Sequence, residues 1–209
     1  MKQRDAQLVF GCASVLLSYP DGEFADDLRA VGKALGRLPS SRAKRGLTDV
    51  LSWLAARSPM EVAGSYVETF DLARRRTLHL TYYRHGDTRE RGMALAALVG
   101  AYRDAGVVLR PGELPDLLPA MLELAAVSRS GMAVLAEHRG ALESLRAELD
   151  EHESPYVQVI VAVSEALGPA ARADRAAARR YRIEGPPSER VGLEPFAPPE
   201  VLTDGLRVQ

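Results

Sequence analysis

Apolar residues recur at helical spacing along most of this chain, and nowhere do they alternate long enough to make a strand. Leu8, Val9, Cys12, Val15, Leu16 and Tyr19 share one helical face, closed by the turn residues Pro20, Asp21 and Gly22. Phe24, Leu28, Val31 and Leu35 form a second stripe, and Leu47, Val50, Leu51 and Leu54 a third. Ser58-Pro59-Met60-Glu61 reads as a capping box with proline at the first helical position, opening a helix through Val62, Tyr66, Val67 and Phe70. The pattern lapses between Thr77 and Gly86, which fits a loop or a tight helical connection. Asp87-Thr88-Arg89-Glu90 repeats the capping logic with an aspartate cap, ahead of Ala94, Leu95, Leu98, Val99 and Tyr102. Further stripes begin at Leu118 and continue through Leu135, Leu142, Leu145 and Leu149, with breaks expected at Gly131 and Gly140. Ser154-Pro155 opens a last apolar helix through Ile160 and Leu167.

The fold class that follows is all-α, a single-domain helical bundle around one core, which a chain of 209 residues can bury. Helix formers dominate and aromatic residues make up only 6%, which agrees with it. The expected domain spans 1–168. Beyond Gly168 an Ala/Arg stretch leads into Gly185-Pro186-Pro187 and Pro195-Phe196-Ala197-Pro198-Pro199, and 169–209 is expected to be a flexible tail with at most a terminal helical turn.

Chemistry is scarce. The formal net charge of -1 gives no electrostatic sheath for nucleic acid, and the lone cysteine, Cys12, sits in an apolar stripe as an inert thiol would. The four histidines, His79, His85, His138 and His152, lack metal-ligand spacing, and no phosphate loop or nucleophile elbow is present. No catalytic residue, metal or cofactor is therefore expected. The N-terminal stretch is a helical stripe interrupted by Asp5 and Gln7, unlike a secretory signal, and no run approaches membrane-spanning length. A cytoplasmic protein without direct membrane insertion is expected.

Unusual residues concentrate in three segments: Tyr66 to Asp71 running into Arg74-Arg75-Arg76, Leu80 to Gly92, and Glu113 to Pro119. For Tyr66 and Phe70 core packing competes with a contact role. Tyr82 and Tyr83 are adjacent, so a helix cannot send both to the core, and one should be exposed or hydrogen-bonded. The arginine run is expected as a solvated helix end. Glu113 and Asp116 fit either a helix N-terminus meeting its own dipole or an acidic lip for cationic side chains of a partner.

The same segments, YVETFD, LTYY-x-x-GDTRERGMAL and ELPD-x-LP followed by LEL, resemble the nitrate reductase molybdenum cofactor assembly chaperones, the delta-subunit family. The resemblance implies a helical fold of the redox-enzyme maturation chaperone type and a protein that is not an enzyme. It implies a partner too: the apo catalytic (alpha) subunit of respiratory nitrate reductase, its N-terminal segment included, held ready for molybdenum cofactor insertion before membrane attachment. The candidate client-peptide residues are Tyr66, Phe70, Tyr82, Tyr83, Asp87, Arg89, Arg91, Glu113 and Asp116. The family pattern carries histidine after ELPD, where this chain has Leu117, which weakens any role for an imidazole at that position. The alternatives are a chaperone for another molybdoenzyme of the dimethyl sulfoxide reductase class, and a helical DNA-binding regulator using Arg74 to Arg76 and Arg89 to Arg91.

Overall fold

The computed structural model describes residues 1–187. Its helices are α1 (Gln3–Leu16), α2 (Phe24–Gly36), α3 (Arg42–Ala55), α4 (Pro59–Tyr66), α5 (Leu80–His85), α6 (Arg89–Asp104), α7 (Leu118–Val127), α8 (Arg129–Glu137), α9 (Arg139–Glu151), α10 (Val157–Leu167) and α11 (Arg172–Glu184). A π-turn, Val67–Asp71, prolongs α4, and a 3₁₀ turn, Arg74–Arg76, follows it. Among the described residues there is no strand, only an isolated antiparallel bridge between His79 and Leu117. The all-α bundle is as expected.

Helix α1 is the hub. Its Val9, Phe10, Ala13 and Leu16 are buried, and α7, α10, α2 and α3 pack around it. Cys12 is buried in the same face, and burial pushes its thiol up to about 11, far from thiolate chemistry at neutral pH. Ser14 is the polar exception, and its hydroxyl donates to the Pro119 carbonyl at 2.9 Å, tying α1 to the start of α7.

Local signals place the helix starts. Ser58 accepts from the Glu61 amide while the Glu61 carboxylate takes the Ser58 amide at 2.8 Å, the reciprocal box expected of this sequence. Ser128 opens α8 by accepting from the Gly131 amide at 2.7 Å. Gly131 and Gly140 lie inside α8 and α9, so neither marks a break. Both permit close approach instead: Gly131 lies against the Leu124 carbonyl, and Gly140 against Ala177 of α11.

The expected aspartate cap of α6 is absent. Thr88 is the N-cap without a side-chain cap bond, and its hydroxyl turns back to the His85 carbonyl at 2.8 Å. The expectation of an unordered segment after Gly168 also fails for α11, which packs on α9. Only Ala178 of α11 is buried, so an apolar stripe does not announce the helix. Its hold comes from Arg182, paired with Glu148 at 3.2 Å and with Glu151, and from the Tyr181 ring, 6.2 Å from that of Tyr83. The rest of the expected tail, from 188 onward, lies outside the described residues.

Candidate functional site

Two of the three unusual segments line one cleft, and the third is tied to it from behind. Phe70, Asp71, Ala73, Arg74, Thr77, His79, Tyr82 and Arg91 line a hollow of about 280 Å3 between the π-turn, the 3₁₀ turn and the start of α6. Behind it stands Asp116.

Asp116 is wholly buried. Its carboxylate takes a 2.5 Å hydrogen bond from the Thr81 hydroxyl, meets His79 Nδ1 at 2.9 Å and receives Arg91 Nη2 at 3.2 Å. Burial works to raise its pKa. The hydrogen bonds from His79 and Thr81, with the charges of His79 and Arg91, more than offset this and hold the carboxyl below its ordinary value. The backbone joins in, because the Leu80 amide donates to the Asp116 carbonyl at 3.0 Å and the Leu118 amide to the Leu78 carbonyl at 2.8 Å. Asp116 therefore clamps the segment at 78–81, the loop before α7 and Arg91 into one unit. Wholly buried, it cannot serve as an acidic lip, one of the two readings its sequence allowed.

The other candidates divide by position. Phe70 is buried, in T-shaped contact with Tyr66 at 5.0 Å and Tyr156 at 5.0 Å, and its ring floors the cleft. Tyr66 belongs to that aromatic chain and to the core. Tyr82 is half-buried on the cleft wall, with the Arg91 guanidinium 5.6 Å from its ring. Tyr83 points the other way and is buried, its hydroxyl donating to the Arg75 and Thr77 carbonyls at 3.0 Å. Of the adjacent pair, Tyr82 is thus the one left accessible. Asp87 is exposed and braces Arg91 from outside at 3.5 Å. Arg89 is exposed at the first position of α6. Glu113 lies away from the cleft and takes the Arg110 amide at 3.4 Å.

The arginine run is not uniformly a solvated end. Arg76 is buried, and its guanidinium donates to the Thr69 carbonyl at 2.8 Å and the Glu68 carbonyl at 3.4 Å, satisfying acceptors that the π-turn leaves free. Arg74 is exposed on the cleft. His79, Thr81, Asp71, Ala73, Arg74 and Thr77 were outside the candidate set; the bridge opposite Leu117 carries His79 and Thr81 to Asp116. The one local hint was the pattern lapse there. Leu117 itself is half-buried, and the imidazole at this site comes from His79.

Chemically the cleft offers an aromatic floor and wall, cationic groups at Arg74 and Arg91, and one carboxylate at Asp71. No group of His, Cys, Asp and Glu arranged to hold a metal occurs among the described residues. No described helix is long and apolar enough to cross a membrane.

Residues 37–162 match the family model described as the nitrate reductase delta subunit. The chain is 30% identical over 169 residues to the probable nitrate reductase molybdenum cofactor assembly chaperone NarJ of Bacillus subtilis, covering 80% of this chain and 92% of that protein. It is 34% identical over 148 residues to the chaperone NarJ of Escherichia coli, covering 68% of this chain and 62% of that one. Against the nitrate reductase-like protein NarX of Mycobacterium tuberculosis, identity is 37% over 158 residues, which is 75% of this chain but only 24% of the relative. The chain thus matches about a quarter of that relative's length.

Proposed function

The chain belongs to the nitrate reductase delta subunit family, and from that premise we propose that it is an assembly chaperone for a respiratory nitrate reductase. It binds the apo catalytic subunit, keeps it competent to receive the molybdenum cofactor, and delays its attachment to the membrane partner. The observation that carries this reading is that the family-matched residues contain every lining residue of the cleft. Two relatives that match along most or much of their length bear the name of this chaperone.

The cleft suits a peptide. An apolar side chain of the client's N-terminal segment rests on Phe70 and Tyr82, where ring faces give contact area at small entropic cost. Arg74 and Arg91 at the rim set the register of client carboxylates or carbonyls and raise the rate of encounter more than the affinity. Asp116 touches no client. It holds His79, Thr81 and Arg91 in place, so the cleft is formed before the client arrives and little ordering cost falls on binding.

No catalytic step is assigned to the chain, and the cofactor passes into the client. The setting is the cytoplasm, before membrane attachment. Cells lacking this chain test the reading. The catalytic subunit should then accumulate with little molybdenum, and supplying the chain should restore the metal content. Full molybdenum content without the chain contradicts the proposal.

A further inference from the structure

The last described residues lie beside the cleft. α11 is fastened to α9 by Arg182, which pairs with Glu148 and Glu151, and the chain then crosses the end of α5. There the Pro187 carbonyl lies so close over Gly86 that a side-chain carbon at Gly86 would collide with it. Gly86 also has φ +55°, a conformation that favours glycine. Pro186 shares a crevice with Arg74, Arg75, Tyr82 and Tyr83. Arg74 and Tyr82 line the cleft as well, so the crevice at Pro186 and the cleft have two side chains in common.

The sequence that follows Pro187 complements this place. From Val191 to Asp204 it carries three carboxylates, Glu194, Glu200 and Asp204, and no lysine or arginine. Leu193 and Phe196 flank Glu194-Pro195 with apolar side chains. The receiving surface has the opposite charge. Arg74 and Arg75 are exposed, and neither has a carboxylate within ion-pair distance among the described residues. Arg91 is already paired with Asp116 and Asp87, and Asp71 is the one carboxylate on the lining. Phe70 and Tyr82 supply ring faces in a hollow of about 280 Å3, which accepts a side chain or two and not a helix. Pro195, Pro198 and Pro199 fix φ and so limit the freedom that the segment loses on docking. Reach is ample, because the nine residues from 188 to 196 span roughly 30 Å when extended.

We infer that the segment from Leu193 to Phe196 seats in the cleft of its own chain, with Phe196 on the Phe70 and Tyr82 rings and Glu194 at Arg74 and Arg75. Resting on the client-binding reading of that cleft, the segment is a built-in competitor. A client must displace it, and the apparent affinity falls by the fraction of chains whose cleft is open. Both the segment and α11, which delivers it, lie beyond the family-matched residues 37–162, so this control belongs to the C-terminal part of this chain.

Two measurements on the full chain test it without any nitrate reductase subunit. In the first, Ala197→Cys carries a spin label while the buried Cys12 stays unlabelled. Broadening of amide signals should concentrate at Ala73, Thr77, His79 and Tyr82, and Phe196→Asp in the labelled chain should remove it. The second uses a synthetic peptide of residues 189–202 as the probe. Calorimetry should show it binding the full chain with Phe196→Asp about tenfold more tightly than the wild type, as when roughly nine clefts in ten are already filled. Arg75→Glu, added to that variant, should weaken the peptide about threefold, as a solvent-exposed charge contact does. Broadening centred elsewhere or spread over the surface overturns the inference. So does a peptide that binds wild type and Phe196→Asp alike, or that binds neither. Broadening passed in a mixture to chains without the spin label places the segment on a second copy, and overturns it too. If both measurements succeed and the catalytic subunit still fails to bind, the proposed function falls and the seated segment stands.

Discussion

Helices α1 and α6 both carry apolar residues at helical spacing, yet they end in opposite surroundings. Around α1, four other helices close over the stripe, and Val9, Phe10, Ala13 and Leu16 are almost wholly excluded from water. Around α6 the cover is partial: α5 and α8 lie beside it and Tyr102 packs on Ala120 and Leu124 of α7, yet Val99 remains 47% exposed. Periodicity decides that a segment is helical, because one face must be apolar to pack at all. Whether that face is covered depends on which other elements fold against it. On this molecule the covered stripe is the core, while the stripe of α6 is covered at Leu98 and Tyr102 and open at Val99.

Substitutions sharpen the contrast, beginning with the largest expected effect. Phe10→Ala in the hub should cost about 3–5 kcal/mol of unfolding free energy, since a fully buried ring leaves a cavity that α7 and α10 cannot close. Denaturant titration measures it, and a loss below roughly 1 kcal/mol, as at a surface position, would deny α1 its central place.

Asp116→Asn comes next. It keeps the shape but removes the charge that pairs with Arg91, and should cost about 1–3 kcal/mol near neutral pH. The carboxyl is held below its ordinary value, so the folded state gives up this proton more readily than the unfolded chain. Its contribution is therefore whole above roughly pH 4 and drains away as pH falls through the lower folded value. The gap between wild type and Asp116→Asn should narrow over that acid range. A gap constant with pH would mean the charge plays no part.

On α11, Arg182→Ala should remove at most about 1 kcal/mol, because its pairs with Glu148 and Glu151 are partly exposed to solvent. Faster hydrogen exchange confined to Arg172–Glu184 would show that this helix opens on its own. Last, Val99→Ser on the open face of α6 should change stability by no more than about 0.5 kcal/mol. A larger loss would place a cover over α6.

The fold was legible in the sequence wherever its cause is local. Ser58 and Glu61 cap each other within one turn, so spacing alone reveals them. Asp116 was not legible in this sense: its partners at 79, 81 and 91 reach it only through the antiparallel crossing beside Leu117, which no periodicity encodes. The motif drew attention to Asp116 without revealing the buried clamp it forms. Tyr82 and Tyr83 show the reverse case, because adjacency alone required them to part, and they do. α11 escaped notice because an alanine face against Gly140 and an arginine pair with α9 leave no hydrophobic stripe to read.

Binding of the purified apo catalytic subunit of nitrate reductase to this chain, measured beside the cofactor-loaded subunit, tests the proposed function most directly. Tyr82→Ala and Arg74→Glu, both at the accessible cleft and away from the Asp116 clamp, serve as the site controls. The expected result is tight binding of the apo form, weak binding of the loaded form, faster dissociation with Tyr82→Ala and slower association with Arg74→Glu. Equal binding of both forms, or no binding of either by the folded wild-type chain, would contradict it.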